Sequence, residues 1–424
     1  MSAEGGPSPN RTGPGRGAEE PVRIGLLGRG TVGGAFHDLI GQRADAIAEM
    51  TGRRPEISGV LRRSEGDFDA IVGDSEIVIE LMGGTEPARD YVLRALQAGR
   101  HVVSANKQLI AQHGDELFEA AREAGVQLRF EAAVAGVVPV IRVIQESLAA
   151  TEITKVFGIV NGTTNFILSE MAATGASYED VLARAQDLGY AEADPTEDVN
   201  GADAAAKMAI LARLAFHAPV NLDDVAYEGI EEIQPDDLAY AKELGLSLKL
   251  LGIAERIDGG LSVRVFPCFL YRRHPLAPVE GPFNAVMVEA PTITEITMSG
   301  PGAGGQETAT AVLGDVVSII SGRAPVHAAR ASLKIVRDIA SSFYLHLEVA
   351  DRPGVLASIA DVLGRNEVSV RSVVQRGHGD DARLVMVMHE GPEARFHAAL
   401  EEIATLDFLR ASPRAIRVIE EEFV

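Results

Sequence analysis

Two lysines and a group of carboxylates are the residues of this chain best suited to moving protons and holding charge. Lys207 lies in the run Ala202–Phe216, whose charged residues are Asp203, Lys207 and Arg213, with His217 just beyond. Asp203 and Lys207 are four apart, so on a helix they share a face. The stripe they lead continues through Ile210, Leu211 and Leu214, all apolar. An ion pair at the head of an apolar stripe fits a cleft wall, because a buried charge requires a partner. The plainer alternative is an interdomain ion pair without chemistry. Lys107 follows His101–Asn106 and stands beyond the carboxyl end of an expected strand. Open α/β sheets collect ligands on that side, although position alone leaves an ordinary surface lysine equally open. Upstream of Lys207, Glu192, Asp194 and Asp198 crowd into the loop Gly189–Gly201 and could hold an ammonium group, a metal ion or nothing. Two lysines with several carboxylates beside a nucleotide domain favour a small zwitterionic substrate.

That nucleotide domain is announced by Gly28-Arg29-Gly30-Thr31-Val32-Gly33, which follows the apolar run Val22–Leu27 and opens a helical pattern from Val32 to Met50. Gly28 permits the sharp turn, Gly30 lets backbone approach a pyrophosphate, and Gly33 lets helix and strand pack closely. The amides at the helix start favour a bound anion. A glycine turn without a ligand is the competing explanation. After the strand expected at Ile57–Leu61 come Arg62, Arg63 and Ser64 rather than a carboxylate. Two cations there suit a ribose 2′-phosphate, so NADP is favoured over NAD; dual use, or Arg62 and Arg63 as plain surface residues, stays open.

The elements that must position these groups read as three units. Strands are expected at Val22–Leu27, Ile57–Leu61, Ile71-Val72, Ile77–Leu81, His101–Ala105 and Val126–Glu131, with helices at Ala88–Ala98 and Glu116–Ala124. This alternation over residues 21–150 predicts a mostly parallel α/β domain of Rossmann type. Residues 151–300 read as a mixed α+β domain, a sheet covered by helices. Its strands are Val156–Val160, Leu261–Phe266, Ala285–Glu289 and Glu295–Ser299, and its helices Ala202–Phe216 and Pro235–Leu244. From Phe343 to Val424 the order β-α-β-β-α-β, with the turn Asp351-Arg352-Pro353-Gly354, predicts a ferredoxin-like domain.

Composition narrows the classes. With 61 acidic against 39 basic residues the net charge is −22, which gives no electrostatic reason to expect nucleic acid or an anionic membrane as partner. Cys268 is the one cysteine, so no intrachain disulfide forms, and its apolar surroundings suggest a packed thiol in a reducing, cytoplasmic setting. Apolar stretches such as Ile77–Met82 are too short to span a bilayer. Residues 1–20, rich in Gly, Pro and Ser, read as a disordered tail.

Several segments resemble the homoserine dehydrogenase family. The longest match runs from Ala185 through Gly189, Glu192, Asp194-Pro195, Asp198, Gly201 and Asp203 to Lys207. The resemblance extends to Gly28–Gly33, Ser104–Lys107, Glu131–Pro139, Asn161–Asn165 and Gly300–Val312. It implies interconversion of L-aspartate 4-semialdehyde and L-homoserine with a nicotinamide cofactor, a nucleotide domain completed by about 301–335, and a substrate-binding and dimerisation role for 151–300. Lys107 and Lys207 would flank the reacting carbon, and Lys207 would be the principal proton donor. Glu192 would bind the substrate's amino group or help order water beside it, Asp198, Asp203 and Thr163 would complete the polar site, and Asn161–Asn165 would line the junction between substrate and nicotinamide. Cofactor contacts are implied at Ser104, Lys107, Gly305 and Glu307, although the family commonly has proline where this chain has Glu307. The family likeness also implies a monovalent cation, Na or K, on backbone oxygens of Glu131, Val134, Gly136 and Val138. The last unit resembles an ACT domain, which implies an amino-acid effector, with threonine first in line, and pairing in a homodimer or homotetramer. A purely oligomerising role for it remains open. Two other functions compete: an oxidoreductase for another amino-acid-like carbonyl compound, and a non-enzymatic sensor of nucleotide and amino acid. Neither needs both the 185–207 match and the two lysines.

Overall fold

The computed structural model describes residues 21–257, 259–325, 331–377 and 382–419; the tail expected over residues 1–20 lies outside the described residues. From Val22 strand and helix alternate: β1 (Val22–Leu27), α1 (Thr31–Thr51), β2 (Pro55–Leu61), α2 (Phe68–Gly73), β3 (Ile77–Glu80), α3 (Ala88–Gln97), β4 (His101–Ser104), α4 (Lys107–Ala124) and β5 (Leu128–Arg129). The strands form a parallel sheet in the order β2-β1-β3-β4-β5. Burial on both faces explains why β3 reads as an unbroken apolar run up to Glu80. The chain leaves β1 for β2 on one side and returns to β3 on the other, so a switch point opens above the carboxyl ends of β1 and β3.

Three expectations need correction here. Ile71-Val72 is not a strand but the inner face of α2, which Asp67 caps by accepting the amides of Asp69 and Ala70. Two adjacent apolar residues do not separate the two periodicities. Val126–Glu131 shortens to β5 followed by a tight turn at Glu131–Ala133. Helix α4 starts at Lys107, not Glu116, because the Asn106 side chain accepts the Leu109 amide at 3.1 Å and nucleates it there.

The chain continues through α5 (Val140–Arg142), β6 (Lys155–Ile159), α6 (Gly162–Thr174), α7 (Tyr178–Asp187), α8 (Thr196–Val199), α9 (Ala202–Phe216), β7 (Ala226–Tyr227), α10 (Pro235–Glu243), β8 (Leu246–Ile257), β9 (Gly260–Tyr271), β10 (Phe283–Ala290) and β11 (Thr294–Pro301). Then α11 (Gly305–Ile320) crosses back to lie on α1, and Ala309, Val312 and Val316 share a core with Phe36, Ile40 and Ile24. After β12 (Lys334–Ile335) comes the last unit: β13 (Ala340–Val349), α12 (Val355–Arg365), β14 (Val370–Arg376), β15 (Ala382–Met388), β16 (Gly391–Pro392), α13 (Glu393–Ile403) and β17 (Arg414–Ile419). Its core includes Phe343 stacked on Phe396 at 3.9 Å between ring centroids. A pair of this kind adds about 1 kcal/mol beyond area burial.

The mixed sheet does not stop at the edge of the middle region. Strand β17 pairs in parallel with β9, setting Arg417 opposite Cys268 and Val418 opposite Phe269. One path therefore runs β11-β10-β6-β8-β9-β17-β13-β15-β14 among the described residues. Cys268 is buried at this seam, and burial raises its thiol to about 12, so it is a packing group.

Candidate active site

Helix α9 is the wall on which the polar site is built. Gly201 precedes it with φ +89°, and Ala204, Ala205 and Ala206 are small enough for it to lie closely on β6, β8, β9 and α4. Asp203, buried in its first turn, receives both lysines. The Lys207 ammonium donates to Asp203 Oδ2 at 2.7 Å and to the Val160 carbonyl at 2.8 Å. Lys107, brought in by α4, donates to Asp203 Oδ1. Asn161 caps α6 through its Oδ1, which accepts the Thr164 amide at 2.8 Å. Its Nδ2 bridges Asp198 Oδ1 at 2.7 Å and Asp203 Oδ2 at 2.8 Å. The Thr163 hydroxyl lies 2.7 Å from the Tyr190 carbonyl and 3.1 Å from Asp198 Oδ2, so one proton serves two acceptors.

The electrostatics follow from this arrangement. Burial alone would raise the Asp203 carboxyl, but the ammonium groups of Lys207 and Lys107 outweigh it and hold Asp203 at about 2. Burial would likewise favour neutral Lys107, yet Asp203, Asp198 and Glu197 reverse that and place it above the usual lysine range. Lys107 is thus a fixed cation. An ammonium offers three donors, and Lys207 gives two to protein atoms, which leaves one for a ligand oxygen.

Glu192 is exposed, and its carbonyl accepts the Gln186 side chain at 3.0 Å. Asp194 also faces outward, accepting the Thr196 hydroxyl at 2.6 Å at the start of α8. Asn161, from the matched Asn161–Asn165 segment, bridges the two carboxylates. One residue that sequence reasoning left out also belongs to the site's frame. Glu80, fully buried at the end of β3, accepts the Ser104 hydroxyl at 2.6 Å and the Met82 amide at 2.8 Å. Burial raises its pKa. Ser104 in turn accepts the Asn106 amide at 3.1 Å, so its hydroxyl ties the end of β4 to β3 beneath the cleft.

The glycine loop closes the other side. Gly28 has φ +97°, and a Cβ there would lie 2.5 Å from the Leu81 carbonyl. A Cβ on Gly33 would lie 2.1 Å from the Gly28 carbonyl, whereas one on Gly30 would meet nothing within 4 Å. Gly30 therefore faces open space at the N-terminus of α1, beside Arg29, Thr31 and Val32, as a loop that admits a pyrophosphate requires. Gly305, the first residue of α11, sits against Thr31, and Glu307 folds over Gly304, so two helix N-termini converge there. At the end of β2, Arg62 and Arg63 are exposed, but Glu65 turns back and pairs with Arg62 at 3.4 Å. A carboxylate therefore does stand near this strand end.

The turn 131–138 is mostly buried. Ala135 and Gly136 take φ of +58° and +63°, and a Cβ on Gly136 would lie 2.5 Å from the Gly302 carbonyl and 2.6 Å from that of Pro301. The carbonyls of Glu131 and Val138 already accept the amides of Val134 and Val140 at 3.3 and 2.8 Å. The Glu131 carboxylate accepts the amides of Ile141 and Arg142 at 2.8 and 2.9 Å. Burial, then Asp315, raises Glu131 to about 7. No side-chain cluster able to hold a metal ion occurs among the described residues, and no helix among them is long and apolar enough to cross a membrane.

A Gly-rich loop at a parallel-sheet switch point, facing two lysines on a shared carboxylate, defines a nicotinamide-dependent oxidoreductase, here joined to an ACT domain. Family profiles agree in order along the chain: the NAD-binding domain of homoserine dehydrogenase over residues 28–131, homoserine dehydrogenase over 139–317, and the ACT domain over 344–408. The homoserine dehydrogenase of Corynebacterium glutamicum is 42% identical, with 99% of each chain covered, and that of Mycobacterium bovis is 42% identical over 95% of this chain and 98% of its own. The crystal structure of a homoserine dehydrogenase from Thiobacillus denitrificans superposes with a TM-score of 0.89 at 37% identity, covering 95% of this chain and 99% of that one. The chain belongs to the homoserine dehydrogenase family.

Proposed function

We propose that Lys207 moves the proton and Lys107 supplies fixed positive charge in the NAD(P)-dependent interconversion of L-aspartate 4-semialdehyde and L-homoserine. The observation that carries this reading is the shared grip on Asp203, which leaves one Lys207 donor uncommitted while Lys107 is held cationic. The bound nicotinamide supplies the hydride in the reductive direction. Negative charge then develops on the carbonyl oxygen; Lys107 stabilises it, and Lys207 delivers a proton to that oxygen. In reverse, Lys207 takes the hydroxyl proton. Asp203 fixes both ammonium groups without competing for the proton, because it stays ionised. Asp198 and Thr163 would accept the substrate's ammonium group, and Glu192 would join them or order water beside it. Lys207→Ala is expected to lower kcat by about 10²–10⁴-fold with cofactor affinity unchanged. Lys107→Ala should weaken kcat/KM for homoserine as well as kcat. Near-normal kcat in Lys207→Ala would remove it from proton transfer.

Finer assignments belong to the same reading. Arg62 and Arg63 favour NADP through its 2′-phosphate. Residues 131–138 would hold a Na or K ion through the carbonyls of Glu131, Val134, Gly136 and Val138. The left-handed backbone at Ala135-Gly136, set against the Pro301 and Gly302 carbonyls, supports this reading. Threonine, as effector, fits a cleft of about 500 Å³ bordered by Asp351, Arg352, Gly354 and Gln375, at the start of α12. The outer edge of β14, with Val370 and Val373 exposed, is suited to pairing with a second copy in a homodimer or homotetramer.

A further inference from the structure

The N-terminus of α9 is held from behind by a segment outside the site. Gly201 and Gly229 sit where two backbones meet: a Cβ on Gly201 would lie 2.9 Å from the Glu228 carbonyl, and one on Gly229 would lie 2.4 Å from the Val199 carbonyl. The Ile230 amide donates to the Val199 carbonyl at 2.9 Å. Residues 228–230 and 199–201 are thus in close backbone contact, with the Glu231 carboxylate beside Gly229. Residues 198 to 203 carry both carboxylates of the candidate site.

Glu228 is itself held from the C-terminal domain. Its amide donates to the Val265 carbonyl of β9 at 2.9 Å, and its carboxylate accepts Arg417 Nη1 at 3.1 Å on both oxygens. Arg417 is the rigid partner. Its Nε and Nη2 donate to Glu393 at 2.8 and 3.0 Å, and its guanidinium lies 3.6 Å from the Phe266 ring centroid. The Arg417 side chain is 9% exposed against 54% for Glu228. The guanidinium grips Glu393 bidentately through Nε and Nη2, which fixes its plane and points Nη1 at both oxygens of Glu228.

We infer that Glu228 is a positioning residue for the Asp203–Lys207 pair, and that Arg417 sets its place. The inference rests on the assignment of that pair above. It makes the C-terminal domain part of the catalytic frame through one ion pair, in addition to the sheet that joins the two.

A double-mutant cycle on the full-length protein tests it, with Glu228→Gln, which keeps the shape of an exposed side chain, and Arg417→Lys, which keeps the buried charge. Glu228→Gln is expected to lower kcat/KM for homoserine about tenfold, the scale of a small misplacement of reacting groups. The dissociation constant of the reduced cofactor and the melting temperature should stay close to those of the natural protein. Arg417→Lys should fall in the same direction, and the double variant no further than the worse single one, because the two residues act as a unit. Independent, multiplying losses would overturn the inference. So would a lowered melting temperature with unchanged kcat/KM, which marks a merely structural link. Failure of the lysine assignment is read separately, from kcat in Lys207→Ala.

Discussion

Asp203 organises the site at the scale of single residues, and its acidity has a measurable consequence. Its carboxyl titrates at about 2 in the folded chain against an ordinary value of 3.8. A depressed folded value adds stability that is present above pH 3.8 and is lost as the pH falls toward 2, about 2 kcal/mol in all. Acid unfolding followed by circular dichroism should show this loss in the natural protein and lack it in Asp203→Asn. Equal acid sensitivity in the two would mean that the ion cluster does not hold Asp203 as described. The Asp203–Lys207 half of the site was legible in the sequence, since four-residue spacing and an apolar stripe follow from helix geometry alone. Lys107 was not legible as its partner. They are 96 residues apart and meet only because α4 and α9 pack together. Glu192 shows the opposite limit: proximity in sequence placed it in the cluster, whereas its loop carries the side chain into solvent.

At the scale of elements, periodicity revealed what it physically encodes and little else. α9 was foreseen over Ala202–Phe216, which it occupies, and the glycine loop was placed between strand and helix where β1 and α1 now hold it. β8 escaped notice because burial along most of its length erases the alternation by which a strand is recognised. The strand end at Leu61 matters for cofactor choice. In sequence the strand is followed by Arg62, Arg63 and Ser64, but the turn brings Glu65 back onto Arg62. Both phosphate-attracting and hydroxyl-accepting groups are therefore present. Replacing Arg62 and Arg63 together by Gln should raise KM for NADP about tenfold or more while changing KM for NAD little. An equal rise for both cofactors would show that the 2′-phosphate is not recognised there.

The whole molecule is joined more tightly than a chain of separate units. β17 extends the sheet of the middle region, so cutting the chain near Ser342 would strip a paired strand from β9 as well as remove the ACT domain. A point change is the cleaner probe of regulation. Asp351 accepts the Gln375 side chain at 3.2 Å across the proposed effector cleft, whose lining includes neither lysine. Asp351→Ala should therefore weaken threonine inhibition about tenfold or more with kcat unchanged, since coupling requires differential affinity at the effector site. Undiminished inhibition would move threonine elsewhere. The β-α-β-β-α-β order was legible from pattern, but the β9–β17 pairing was not, because a strand carries no mark of which outer neighbour it will take. The most direct test of the account is the reaction itself: purified protein mixed with L-homoserine and NADP, then separately NAD, with sodium or potassium present, and nicotinamide reduction followed by absorbance. Homoserine-dependent reduction in the natural protein, nearly abolished in Lys207→Ala, is the predicted result. No homoserine-dependent signal with either cofactor across the pH range would contradict it.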